Sequence, residues 1–246
     1  MRDEKHHRMW RFLFFCGALV LALNFSRAYL LGFVVGLLIL KYKHKFHRWI
    51  KTSLWSGAVL ILLFISINII ASGGRSLGLE IVGIRIASFS APQVELSTAT
   101  RMVLLDPIFR IIKQHPIIGS GLGATITYLH PTTYEQITTH SFDWGYLEMW
   151  AELGIFGALY FLIIIGFLIS ELIKKIRSIS DYHDFYIGLL GGVIALLVIN
   201  ITTPALFHVL GIFYLTFVIA FVSKPISIFD GVVTMLYRIF NKINTH

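Results

Sequence analysis

Three groups of residues in this chain could do chemistry together. They are the arginines Arg27 and Arg101, the run His115-Pro-Ile-Ile-Gly-Ser-Gly-Leu-Gly123, and His140 in Thr138-Thr-His-Ser-Phe-Asp-Trp-Gly145. A guanidinium presents forked N–H donors that match phosphate oxygens, so a pair of arginines suits a diphosphate. An imidazole takes a proton near neutral pH, which makes His140 a candidate base. Gly119, Gly121 and Gly123 have neither the spacing nor the βαβ surroundings of a dinucleotide fingerprint. They form a turn, and backbone amides in such a turn, that of Gly121 among them, can face an anion. Each piece alone has a plainer role: an arginine anchors a lipid headgroup, a glycine permits a turn, a histidine sits on a surface. His130 and His140 also lack the i, i+4 relation of helical zinc ligands. If they converge, the set suits a reaction whose leaving group is a lipid diphosphate.

The elements that must position these residues follow from composition. Hydrophobic residues make up 56% of the 246 and charged ones 14%, against about 25% charged in a soluble domain. The mean hydropathy is +0.76. That is more apolar surface than one soluble core can bury, and lipid is the solvent that accommodates it. The formal charge of +8 does not imply nucleic acid, because the basic residues lie in short stretches between apolar runs, as on the cytoplasmic side of a membrane protein. Cys16 is the single cysteine and lies in an apolar run, which excludes disulfides, thiol catalysis and a cysteine zinc site. The basic start and the apolar run after it lack a small-residue cleavage pattern, so no cleavable signal peptide is expected.

An all-α integral membrane protein of about six transmembrane helices with one large extracytoplasmic loop is therefore expected. The apolar region from Trp10 to Leu40 is too long for one span and carries Arg27 near its middle, where an arginine costs roughly 2.5 kcal/mol or more. It divides into helices at about 10–24 and 28–40, both short, so their turn is expected below the surface in a protein-lined or wet cavity. One tilted helix with a buried arginine is the competing arrangement. A third helix at about 53–71 completes the N-terminal unit, 1–71. The mixed stretch 72–145 is the loop carrying the site. Helices at about 146–169, 185–201 and 205–222 form the C-terminal unit, 146–223, with the last two paired around Thr202-Thr-Pro204. The tail 224–246 alternates apolar residues with Arg238 and Lys242 and fits an interfacial amphipathic helix.

Placing both termini in the cytoplasm puts Arg2, Lys5, Arg8, Arg11, the 41–51 cluster, Lys174, Lys175, Arg177, Lys224, Arg238 and Lys242 inside. The 72–145 loop then faces the periplasm or exterior, where there is no ATP and a substrate arrives on a lipid or from outside. Arg75, Arg85, Arg110 and Lys113 are read as headgroup contacts. Glu171, Asn200 and His208 are explained by helix-end or packing roles.

In order and spacing, the chain resembles the O-antigen ligase and polymerase (Wzy-type) superfamily over about residues 10 to 170. The matching residues are Ser26-Arg27 before an apolar helix, Arg101 followed by His115-Pro116 and Gly119-x-Gly121-x-Gly123, and His140 leading into Glu152-Leu-Gly-Ile-x-Gly157. Leu105 stands where family members often carry tryptophan, a lost packing group and not a lost catalytic one. The resemblance implies a C-type glycosyltransferase fold in a bacterial inner membrane, working without metal or other cofactor on an undecaprenyl-diphosphate-linked glycan. It implies that Arg27 and Arg101 bind the donor diphosphate and that His140 acts as base or orients the acceptor, an acceptor glycan or lipid A core. Membrane lipids are the surrounding partners and nucleic acid is not one. Family chains carry more helices, so this sequence corresponds to their C-terminal half. A truncated product, one piece of a split protein and a reduced homologue all stay open, with a separate N-terminal half or a chain-length regulator as further partners. The rivals are a channel or transporter subunit, in which the arginines would recognise an anionic substrate, and an inactive fragment.

Overall fold

The computed structural model describes residues 2–24, 26–41, 45–80, 82–83, 96–178 and 183–223. The tail 224–246, Arg85 and the middle of the 41–51 cluster lie outside the described residues. The protein is predominantly helical: α1 (Arg2–Asn24), α2 (Arg27–Leu40), α3 (Phe46–Ala71), α4 (Leu96–Gln114), β1 (Ile126–Leu129), β2 (Gln136–Thr139), α5 (Gly145–Arg177), α6 (His183–Ile199) and α7 (Val209–Ser223).

The Trp10–Leu40 region is two helices. Ser26 is extended, with φ −82° and ψ 137°, so α1 stops at Asn24 and α2 starts at Arg27. The polar residues Asn24, Ser26 and Arg27 thus interrupt an otherwise apolar run. Among the described residues, α3 and α5 are long and apolar enough to cross a membrane, while Arg11–Asn24, α2, α6 and α7 are apolar but shorter. The 14 residues of α2 rise about 21 Å, less than the roughly 30 Å of a hydrocarbon core. α3 reaches further back than its apolar run, through Phe46-His-Arg-Trp49, because Trp49 donates its indole N–H to the Leu37 carbonyl of α2 at 2.7 Å.

Among the described residues two helix pairs pack closely, and further helices join one of them. α1 packs on α3 through Ala22, Leu60 and Phe64, with the Phe14 and Trp55 rings 5.1 Å apart. α2 packs along α6, where Gly32 faces Ile199 and the backbones of Gly36 and Gly191 draw close. Small residues at such positions let two apolar helices approach and gain dispersion contacts where lipid gives no hydrophobic drive between them. α5, α6 and α7 share the largest core, around Ile165, Leu172, Tyr186, Val193, Leu206 and Val218. Large apolar side chains remain exposed around the bundle, including Leu62, Ile70, Phe156, Ile163, Phe167 and Phe213, as on helices solvated by lipid.

The stretch between α3 and α5, expected as one large loop, holds regular structure of its own. It contains α4 and an antiparallel hairpin in which Ile126 pairs Thr139 and Leu129 pairs Gln136. Leu104, Ile108 and Ile112 recur at helical spacing along one face of α4. They bury against Ile126, Phe142 and Ala151 in a core of their own. The hairpin loop is closed locally, with His130 accepting at Nδ1 from the Thr133 amide at 3.2 Å and Tyr134 in the left-handed region at φ 56°.

A side chain at Gly32 would press into Ile199, the nearest atoms of which lie 2.6 Å and 2.7 Å from an ideal Cβ. Gly32→Leu should therefore destabilise the bundle by about 1–3 kcal/mol, read as a lowered Tm of the detergent-solubilised protein. A melting curve unchanged from wild type would contradict the α2–α6 packing described above.

Candidate active site

The module between α3 and α5 is joined to the membrane bundle at a break in a helix. Gly154, at φ 69° and ψ 176°, interrupts α5 in a region open essentially to glycine alone. The break frees backbone groups that a continuous helix would pair. In such a helix the Ile155 N–H would reach back to Ala151; here it donates to the Pro116 carbonyl at 3.0 Å. The Ala151 carbonyl accepts instead from the Ser120 N–H at 2.8 Å, and the Glu152 carbonyl accepts from Gly121 at 3.0 Å. The glycine-rich turn is thus stitched into the gap. The approach is so close that a Cβ on Gly119 would overlap the Glu152 carbonyl, and one on Gly154 would overlap Ile117.

Arg101 lies on α4, partly buried, one turn before Leu104 on the face that carries the module core. Its carbonyl accepts the Trp144 indole N–H at 2.9 Å. Its guanidinium Nε is buried without a hydrogen-bond partner, an unmet donor of a kind that native interiors rarely leave. His140 is exposed and follows directly after β2. The segment from His140 to Trp144 therefore runs from the candidate base to the indole that touches Arg101. Asp143, within it, takes φ 55°, a conformation in which aspartate is among the few residues tolerated.

Gly121 sits on the same module, exposed, but its N–H is committed to the Glu152 carbonyl. Arg27 opens α2. Its neighbour Ala28 packs on Ile199 at the end of α6 and on Ala205 in the connection between α6 and α7. That connection is held by the fully buried Asn200, which accepts the Leu206 N–H at 3.0 Å, reaches Met149 Sδ at 3.8 Å and lies against Gly145. Arg27 thus belongs to the end of the bundle from which α5 and the module emerge. Arg110 pairs with Asp106 one turn away on the exposed side of α4.

Sequence reasoning passed over Glu148, Glu152 and His208 as functional residues. Both carboxylates are buried, at 3% and 6% exposure. Glu148 accepts the Phe142 N–H at 2.8 Å through Oε2, while its Oε1 lies 3.5 Å from His208 Nε2. Glu152 accepts the Gly123 N–H at 2.9 Å and lies within electrostatic range of both His140 and His208. The available signal was two carboxylates one turn apart in an otherwise apolar helix, where a charge costs roughly 2.5–3.5 kcal/mol unless it is paired. Among the described residues no group of His, Cys, Asp or Glu is arranged to hold a metal ion.

Residues 12–162, from within α1 through α4 and the whole module to the broken part of α5, match the O-antigen ligase family. The chain belongs to that family. No curated protein and no solved structure gives a match. As a member of the O-antigen ligase family it is a membrane protein, in keeping with its apolar helices. Arg27, Arg101, Gly121, His140, Glu148 and Glu152 all fall inside the matched region, and His208 lies beyond it.

Gly154→Ala combines backbone strain with overlap on Ile117, whereas a Cβ on Gly121 meets nothing within 4 Å and adds only its positive φ of 91°. Gly154→Ala should accordingly cost about 2–3 kcal/mol or more and Gly121→Ala about 1–2 kcal/mol. Limited proteolysis of membranes should cut the 116–123 turn faster in Gly154→Ala than in Gly121→Ala. Equal cutting of the two would count against the stitched helix break.

Proposed function

We propose that this O-antigen ligase family member transfers a glycan from undecaprenyl diphosphate to an acceptor sugar hydroxyl at the outer face of the bacterial inner membrane. The preferred acceptor is another lipid-linked repeat unit, which makes the protein a polymerase of O-antigen, capsular or exopolysaccharide type. The acceptor oxygen attacks the anomeric carbon of the donor. The bond from that carbon to the diphosphate oxygen breaks, and undecaprenyl diphosphate leaves with the electron pair. His140 takes the hydroxyl proton. Arg101 and Arg27 meet the negative charge that grows on the departing diphosphate, the kind of preorganised stabilisation that lowers a transition state most effectively in a partly dry site.

The observation that carries this reading is the buried Arg101 Nε with no partner, on a module whose Trp144 joins Arg101 to the segment bearing His140. A donor held without an acceptor is ready for an anion. The positive-inside balance of the loops supports the module's placement outside. The glycine turn serves as scaffold, in keeping with the engagement of the Gly121 amide. The family's description as an O-antigen ligase favours a second acceptor, a sugar of the lipid A core, with the same chemistry at the donor. Addition of that core to the assay separates the two.

Arg101→Ala and His140→Ala, each introduced into a strain lacking the wild-type gene, should lower polymer formation by about 100-fold or more. Both proteins should stay in the membrane fraction at wild-type amounts. A full-length glycan ladder from either variant would remove its residue from the mechanism. Normal polymer with a transport defect in the deletion strain would favour a transporter.

A further inference from the structure

The two buried glutamates of α5 hold both legs of the hairpin. Gly123, whose N–H is bound by Glu152, lies just ahead of β1, and Phe142, whose N–H is bound by Glu148, lies just after β2. The strand register sets Ile126 across from Thr139, so the two legs leave the ladder side by side. His140 sits between the last ladder residue, Thr139, and the Glu148 tether at Phe142. The Ser141 N–H donates to Thr139 Oγ1 at 3.1 Å within this short span. The Phe142 ring, with no exposed surface, is locked in the module core. The backbone of His140 is therefore fixed from both sides, and one side is a single carboxylate oxygen.

We propose that Glu148 is a positioning residue for His140, acting through the hydrogen bond from the Phe142 N–H to Oε2. Glu152 holds the opposite leg in the same way. His208, half exposed at the entry to α7, faces the other oxygen of Glu148 and ties this arrangement to α7. This inference rests on the reading of His140 as the proton acceptor. It assigns Glu148 no contact with substrate. Its contribution is geometric, and geometry matters because a misplacement of about 1 Å near the reacting atoms can cost roughly 100-fold in rate.

A positional role and a charge role give opposite orders for two conservative variants. Glu148→Gln keeps the length and leaves a carboxamide oxygen to accept the Phe142 N–H. Glu148→Asp keeps the charge but withdraws the carboxylate by one carbon–carbon bond, about 1.5 Å, which takes it beyond hydrogen-bond range of an amide now 2.8 Å away. The assay supplies the host's own undecaprenyl-diphosphate-linked repeat unit, extracted from membranes, at graded concentrations to the full chain in vesicles. It measures released undecaprenyl diphosphate. The expected result is kcat within about threefold of wild type for Glu148→Gln. For Glu148→Asp, kcat should fall by about tenfold or more with KM for the lipid donor within about twofold.

The reverse order, equal losses, wild-type rates in both or a change confined to KM would each overturn the proposal. So would the absence of both variants from the membrane, which would make Glu148 a folding residue. His140→Ala run beside them separates the two levels. If His140→Ala is inactive and Glu148→Asp is normal, only the role of Glu148 fails. If His140→Ala turns over normally, the assignment of the base fails.

Discussion

The break in α5 at Gly154 is the constraint on which the rest of the structure depends. A helix interrupted near a membrane exposes N–H and C=O groups that lipid cannot satisfy, so the break persists only where protein supplies the missing partners. The 116–121 turn supplies them, by exchanging the helix's own pairing for bonds with Pro116, Ser120 and Gly121. The exchange needs backbone against backbone, and for that reason glycines stand at 119 and 154. One consequence is that the turn has a structural duty that uses up the Gly121 amide. Another is that the module is anchored to the bundle at a fixed point. Its hairpin and α4 then assemble on that point through the Leu104, Ile108, Phe142 and Ala151 core.

Around this anchor the polar contacts form a short chain of dependence. Trp144 donates its indole N–H to the Arg101 carbonyl and lies at the entry to α5, so the helix with the candidate diphosphate-binding arginine is held against the start of the helix with the break. His140 is at the other end of the segment that ends in Trp144. The buried carboxylates below it are tolerable because each accepts a backbone N–H, and Glu148 also faces His208. A buried carboxylate with one partner removed is costly, so the arrangement favours a single geometry.

Much of the framework is legible in the residues, and the reasons are local. The division of the first apolar region at Asn24–Arg27 follows from the cost of an arginine among apolar side chains. Asn200 has the expected packing role, just past the end of α6. Arg101 and His140 are picked out by residue type and by their order in the chain, and both fall on the module. What is not legible rests on contacts between distant positions. β1 and β2 have four residues each, too short for alternation to be read, and the Glu152 and Glu148 tethers and the Phe142 ring that hold their ends come from distant positions. α4 was hidden because its apolar face is narrow and Pro107 lies inside it. Glu152 meets Gly123 across 29 residues of sequence, and no local pattern announces such a pair.

The most direct test of the central claim, that this module handles a preactivated lipid-diphosphate donor, is turnover by the purified full chain in vesicles free of nucleotide and treated with a metal chelator. The undecaprenyl-diphosphate-linked repeat unit is the only substrate. The account predicts longer glycan on the lipid and release of one undecaprenyl diphosphate for each glycosidic bond formed. No release of the lipid diphosphate, or release that occurs only when a nucleotide sugar is added, would contradict it.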